Sequence, residues 1–136
     1  MEYSKIRSFV NKNGIKLPGS WFAHYNCVRY HNKGETPIHW NMKCAITGEL
    51  LRKGQSVFSE FAFDYKYTTG SYGKRMQFPT ADIFWLDEKM VIEVESKLTE
   101  ETRLLKQAQY SDFNLFIFNI SGSETLEEFY ERSGIL

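Results

Sequence analysis

Asp82, Glu93 and Glu95 are acids set in otherwise apolar stretches, Thr80-Ala81-Asp82-Ile83-Phe84-Trp85-Leu86 and Met90-Val91-Ile92-Glu93-Val94-Glu95. A tight two-residue turn at Asp87-Glu88 makes the two stretches a hairpin, pairing Leu86 with Lys89, Trp85 with Met90, Phe84 with Val91, Ile83 with Ile92 and Asp82 with Glu93. Opposed residues share a face, so Asp82 and Glu93 meet with Cβ atoms about 5 Å apart, and Glu95 joins them by the two-residue period of a strand. Like charges this close repel and raise one another's pKa unless a cation neutralises them, and hard oxygen ligands suit Mg²⁺ or Mn²⁺. The plain alternative is a solvated acidic face, against which Phe84 and Val91 on the same face argue.

The elements that must hold these acids follow from periodicity and end signals. Ser4 to Asn11, with Ile6, Phe9 and Val10, reads as a short first helix, and Leu17-Pro18-Gly19 breaks the chain. Ser20 caps a second helix with Trp21, Tyr25 and Val28 on one face, although the aromatic content suits a strand equally. Thr36 as N-cap, Pro37 at the first position, apolar Ile38, Met42, Ala45 and Ile46, and Gly54 as the stop define the next helix. Gln55 to Asp64 alternates as a strand, with Val57, Phe61 and Phe63 on one side and Phe58, Glu60, Ala62 and Asp64 on the other. After the hairpin, Thr99 begins a helix that runs to Tyr110 with Glu100 and Glu101 in its first turn. Phe113 to Ile120 reads as a buried strand reached by a crossover helix and parallel to its partner, and Ser123 caps a last helix carrying Leu126, Phe129 and Tyr130. From Thr36 onward the order is helix, three strands, helix, strand, helix, an α/β domain.

These elements carry further chemical groups. With Ile38 at zero and about 100° per residue, Met42 falls near 40°, Ala45 near 340°, Ile46 near 80° and Glu49 near 20°, so Glu49 lies inside the apolar stripe. His39, near 100°, and Lys43, near 140°, border it, where a snorkelling lysine reaches a phosphate or a carboxylate. Each has a plain reading as a rim residue or local ion pair. Arg103, Lys106, Gln107 and Tyr110 form a strip that orients DNA or the site, or else a solvated face with Tyr110 at its buried edge. Gly70-Ser71-Tyr72-Gly73-Lys74-Arg75 lacks the spacing that cradles a nucleotide and reads as a basic loop, with Lys74 and Arg75 suited to a DNA backbone. Cys27-x-x-x-His31 and His39-x-x-x-x-Cys44 have zinc-ligand types, but Cys44, near 240°, points away from His39.

Asp82 followed by Glu93-Val94-Glu95, in this element order, resembles the αβββαβ core of the PD-(D/E)XK, or restriction-endonuclease-like, nuclease superfamily. Within it the chain is most similar to the nuclease-like domain of CoiA-type competence proteins, through His39-x-x-x-Lys43, Gly54, Glu60, Ala81-Asp82-Ile83 and Ile92-Glu93-Val94-Glu95. The likeness covers residues 36–120. It implies a core of 36–120 with extra N-terminal helices in 1–35 and a C-terminal helix in 121–136, and cleavage of a DNA phosphodiester through a metal ion. Asp82, Glu93 and the carbonyl of Val94 would hold Mg²⁺ or Mn²⁺, and Glu60 would be a further site carboxylate. Position 95 departs from the pattern, since most of the superfamily has lysine there. Glu95 would then hold a second metal or act as a base, with Lys97, on the same face, supplying the missing ammonium. A shifted motif, Glu95-Ser96-Lys97, stays open. Glu93-x-Glu95 is favoured because it sets Glu93 opposite Asp82.

The 136 residues, 42% hydrophobic and 25% charged, fit one domain with a single core. No apolar run approaches the roughly 20 residues of a membrane span, and no leader-like stretch opens the chain, so an intracellular, cytoplasmic protein is expected. Zero net charge conceals twelve Lys and Arg against five Asp and Glu in residues 1–81, and five against twelve in 82–136. A basic half suits phosphate, and an acidic half suits a metal site. The expectation is a Mg²⁺-dependent DNA endonuclease, dimeric if it cuts both strands of a duplex. Its rivals are a non-catalytic DNA-binding or interaction protein of the same fold and a Holliday junction resolvase.

Overall fold

Thr36 accepts a hydrogen bond from the His39 N–H through its hydroxyl at 3.2 Å, Pro37 occupies the first turn, and Gly54 takes φ +73° after the last. These end signals bound helix α2, Pro37–Arg52, as expected. The computed structural model describes residues 2–13, 21–29, 35–62, 80–111, 113–119, 127 and 131. Its elements are α1 (Glu2–Asn13), α2, β1 (Val57–Ala62), β2 (Thr80–Trp85), β3 (Met90–Glu95), α3 (Glu100–Gln109) and β4 (Asn114–Asn119). The strands form one mixed sheet in the order β1-β2-β3-β4, antiparallel except for parallel β3 and β4, which α3 connects. The chain is thus a mixed α/β protein. Among the described residues no helix is long and apolar enough to cross a membrane.

Two buried clusters sit on opposite faces of the sheet. Met42, Ile46 and Leu50 of α2 pack with Val57, Ile83, Ile92, Val94 and Phe118. Ile6 of α1 and Tyr110 at the end of α3 pack with Phe58, Phe61, Ala81, Phe84, Leu86 and Val91. The buried face of α2 consists of Met42, Lys43, Ile46, Thr47 and Leu50, and Ile38 is 48% exposed. The face is therefore centred near 110° on the scale used above, not near 20°. Its middle is polar, with Lys43 fully buried, which is why the apolar pattern alone misplaced it.

The hairpin register holds, with Ile83 opposite Ile92, Phe84 opposite Val91 and Trp85 opposite Met90. The link is a 3-10 turn, Leu86–Glu88, closed by Lys89 at φ +51°, instead of a two-residue turn. Asp87 accounts for this: its carboxylate accepts the Ser56 N–H at 2.6 Å and pairs with Lys5. In β1 the alternation breaks at Glu60, which takes φ +48°. The β1–β2 ladder skips Glu60 and Asp82 and resumes at Phe61 with Ala81. Phe61 consequently joins Phe58, ring centroids 4.5 Å apart, and leaves Val57 on the other face, while Glu60 turns to Lys43. This corrects the expected faces of β1.

Three other expectations change. The segment expected as a second helix is a 3-10 turn, Trp21–His24, followed by an isolated bridge from Tyr25 to Phe58. Asn26 gives its N–H to the Val57 carbonyl at 2.7 Å and accepts the Val57 N–H at 3.0 Å, satisfying the open edge of β1. Strand β4 lies at the other edge, so of its residues only Phe118 is fully buried. Glu127 and Glu131 are helical, and the remainder of the expected last helix lies outside the described residues. The orientation of α2 has a direct test in urea unfolding. Ile46→Ala is expected to cost about 2–5 kcal/mol, and Ile38→Ala to stay within about 0.5 kcal/mol of the wild type.

Candidate functional site

The β2–β3 ladder stops at Ile83 and Ile92, one residue short of the paired acids. Where the next backbone bonds would form, side chains take their place: the Asp82 N–H donates to Glu93 Oε2 at 3.0 Å, and the Val94 N–H donates to Asp82 Oδ2 at 2.8 Å. Each acid thus uses the other strand's backbone to hold its carboxylate at the opening. The opening forms a cleft of about 320 Å³ lined by Glu35, His39, Glu60, Thr80, Asp82, Glu93, Val94, Glu95, Ser96 and Lys106.

Two groups of charges flank it. From α2, His39 Nε2 lies 3.4 Å from Asp82 Oδ2 and His39 Nδ1 lies 3.0 Å from Glu35 Oε1. Lys43 Nζ lies 3.0 Å from Glu35 Oε1 and donates to Glu60 Oε1 at 2.6 Å and to the Arg29 carbonyl at 2.8 Å. Three acceptors for three N–H bonds let a lysine sit at 0% exposure. From α3, Lys106 Nζ reaches Glu93 Oε1 at 3.0 Å and Glu95 Oε1 at 2.8 Å, and the Tyr110 hydroxyl donates to Glu93 Oε1 at 3.1 Å.

Asp82, Glu93, Val94, Glu95, Glu60 and His39 are therefore brought together, with Lys43 directly behind. Lys97 is exposed beyond the end of β3 and does not line the cleft. Glu49 pairs with Arg52 on the surface, as the rotation of α2 requires, so it is not a buried acid facing the site. Arg103 pairs with Glu100 outside the cleft, whereas Lys106, expected at a DNA backbone, is drawn onto the carboxylates. Lys74 and Arg75 lie outside the described residues. Cys27 and Cys44 are free thiols. Glu35 and Tyr110 were not anticipated as site groups. The Glu35, His39, Lys43 spacing of four and four was the available signal for the first. Nothing in the sequence distinguished Tyr110 from a core tyrosine.

Burial tends to raise the Asp82 carboxyl, but the His39 and Val94 hydrogen bonds outweigh it and hold it below its ordinary value. Burial and then the Asp82 charge push Glu93 up to about 8, against Lys106. The hydrogen bond to Asp82 lifts His39 to about 9 despite its burial, with Glu35 adding to it. Burial works against the Lys106 ammonium, yet Glu93 and Glu95 together raise it. Among the described residues no three His, Cys, Asp or Glu side chains already converge as a metal-binding group. Instead five carboxylates, Glu35, Glu60, Asp82, Glu93 and Glu95, share two ammoniums and one imidazole. The fully ionised cluster is two positive charges short, and burial makes that shortage expensive.

No family model matches this chain, and no curated protein or solved structure matches it.

The pKa shifts set the sign of a pH effect. The folded chain keeps protons that the unfolded chain releases, on Glu93 from 4.5 to about 8 and on His39 from 6.5 to about 9. Both contributions are present on the acid side of these windows and are lost as pH rises through them. Urea unfolding in EDTA is expected to give lower stability near pH 9 than near pH 5, with a smaller loss in Glu93→Gln, which cannot ionise.

Proposed function

We propose that the chain is a metal-dependent DNA endonuclease with a restriction-endonuclease-like core. The carrying observation is the charge shortage: a cleft two positive charges short, with hard oxygen donors on two adjoining strands, suits one divalent cation. The order α2-β1-β2-β3-α3-β4, with β3 and β4 parallel, supports the resemblance, as does the seating of Asp82 and Glu93 on neighbouring strands.

Asp82, Glu93 and the Val94 carbonyl are the groups that would hold Mg²⁺ or Mn²⁺, with Glu95 and Glu60 facing the same cleft. The ion supplies charge stabilisation at a phosphate and a water of lowered pKa. His39 keeps Asp82 ionised and oriented, because its other nitrogen is held by Glu35. Lys43 fixes Glu60 and Glu35 from behind, so the cleft wall keeps its shape when charge enters or leaves. A non-catalytic DNA-binding reading is favoured by one observation, the acid at position 95.

The test is incubation of the pure protein with single-stranded, duplex, nicked and branched DNA in Mn²⁺ or EDTA. Cleavage is expected only with the metal, and Asp82→Ala and Glu93→Gln should each abolish it while folding normally. Mn²⁺ should also raise the Tm of the wild type but not of Asp82→Ala. Wild-type cleavage rates in both variants would remove this site from the reaction.

A further inference from the structure

Hydrolysis at a phosphate places a second demand on the cleft beyond holding an ion. The water oxygen bonds to phosphorus, and the bond from phosphorus to one ester oxygen breaks with its electron pair staying on that oxygen. One water proton goes to solvent and the leaving oxygen takes up a proton, leaving a phosphomonoester end and a hydroxyl end, with no change of oxidation state. Charge builds on the phosphate oxygens in the transition state, and a fixed cation beside them lowers the barrier. Position 95 carries an acid, and Lys97 is exposed outside the cleft.

One ammonium lines the cleft beside the paired acids. Lys106 comes from the middle of α3, one turn before Tyr110, and its side chain is 16% exposed. Its Nζ bridges Glu93 Oε1 at 3.0 Å and Glu95 Oε1 at 2.8 Å. Tyr110 donates to the same Glu93 oxygen, so the helix is registered on β3 by two contacts, not by one long side chain alone.

Resting on the endonuclease reading, we propose that Lys106 is the catalytic ammonium of this site, delivered from α3 to the position that a lysine at residue 95 would fill. Glu95 is then its holder: the carboxylate on β3 fixes Nζ beside Glu93 and keeps it charged inside a partly buried cleft. The exchange of positions has a geometric basis, because the two side-chain ends are already in contact.

The experiment compares the wild type, Lys106→Met, Lys106→Arg and the double variant Glu95→Lys/Lys106→Met. Readouts are single-turnover cleavage of the best DNA substrate in saturating Mn²⁺, the Tm shift with Mn²⁺ alone, and urea unfolding. Lys106→Met is expected to lose about 100-fold or more in rate while keeping its Mn²⁺-induced Tm shift. Lys106→Arg should retain part of the rate, and the double variant should recover at least about tenfold over Lys106→Met. That recovery separates a chemical role from a structural one, since the double variant removes both original partners. A Lys106→Met protein that cuts at the wild-type rate, or one that only binds Mn²⁺ more tightly, would make the ammonium a stand-in for the ion and overturn the proposal. A double variant as slow as Lys106→Met overturns it as well. A wild type that leaves every DNA intact instead overturns the endonuclease reading, and this inference with it.

Discussion

The reciprocal bonds between Asp82 and Glu93 are the constraint on which the rest of the site depends. Two strands can carry acids at opposed positions and still diverge, leaving each carboxylate to solvent. Here the carboxylates complete the hairpin, each accepting a backbone N–H from the opposite strand after the regular ladder has ended. A hydrogen bond from a backbone N–H to an ionised carboxylate is stronger than the neutral bond it replaces. The strands can therefore separate without leaving buried amides unpaired. The opening, the cleft and the crowding of charge share this one cause.

Once two acids are fixed there, the surrounding polar groups follow from the need to compensate them. Lys106 and Tyr110 answer Glu93 from one face of the sheet, and His39 answers Asp82 from the other. The left-handed residue Glu60 belongs to the same pattern. Regular alternation would send its carboxylate among Phe58, Phe61 and Phe84, where nothing could pair with it; φ +48° turns it to Lys43 at 2.6 Å. Backbone strain of about 1–2 kcal/mol is the smaller cost when the alternative is an unpaired buried charge. Glu35 then links Lys43 to His39, so the α2 groups form one chain of contacts ending at Asp82.

Local signals were legible in the sequence where a single residue determines the geometry. Thr36, Pro37 and Gly54 bounded α2, Thr99 capped α3, and the short link at Asp87-Glu88 specified the pairing of Ile83 with Ile92, which in turn brought Asp82 to Glu93. Legibility ended where a polar residue is buried by a partner distant in sequence. Lys43 and Thr47 occupy the buried face of α2, so an apolar stripe drawn through Ile38 and Ala45 pointed Glu49 inward and left Lys43 at the rim. The single positive φ at Glu60 reversed the faces of β1 with no glycine to announce it. Lys106 looked like one cation in a solvated strip, because its partners lie on β3 and only the packing of α3 brings them to it.

Compensation by the chain's own groups stops short of neutrality, and the remainder falls on a proton. Glu93 retains it because burial and the Asp82 charge both oppose ionisation, while Asp82, bonded to His39 and the Val94 amide, gives its own proton up. The metal-free cleft is thus asymmetric: one acid ionised and held, the other protonated. On the proposed reading, an entering divalent cation takes the place of that proton, so ion binding releases protons and strengthens as pH rises. The metal-free fold weakens over the same pH range, as the retained protons are lost. These opposite slopes have one origin, the two charges by which five carboxylates exceed their partners, and a cleft balanced for the metal-free state would have no such preference for a cation.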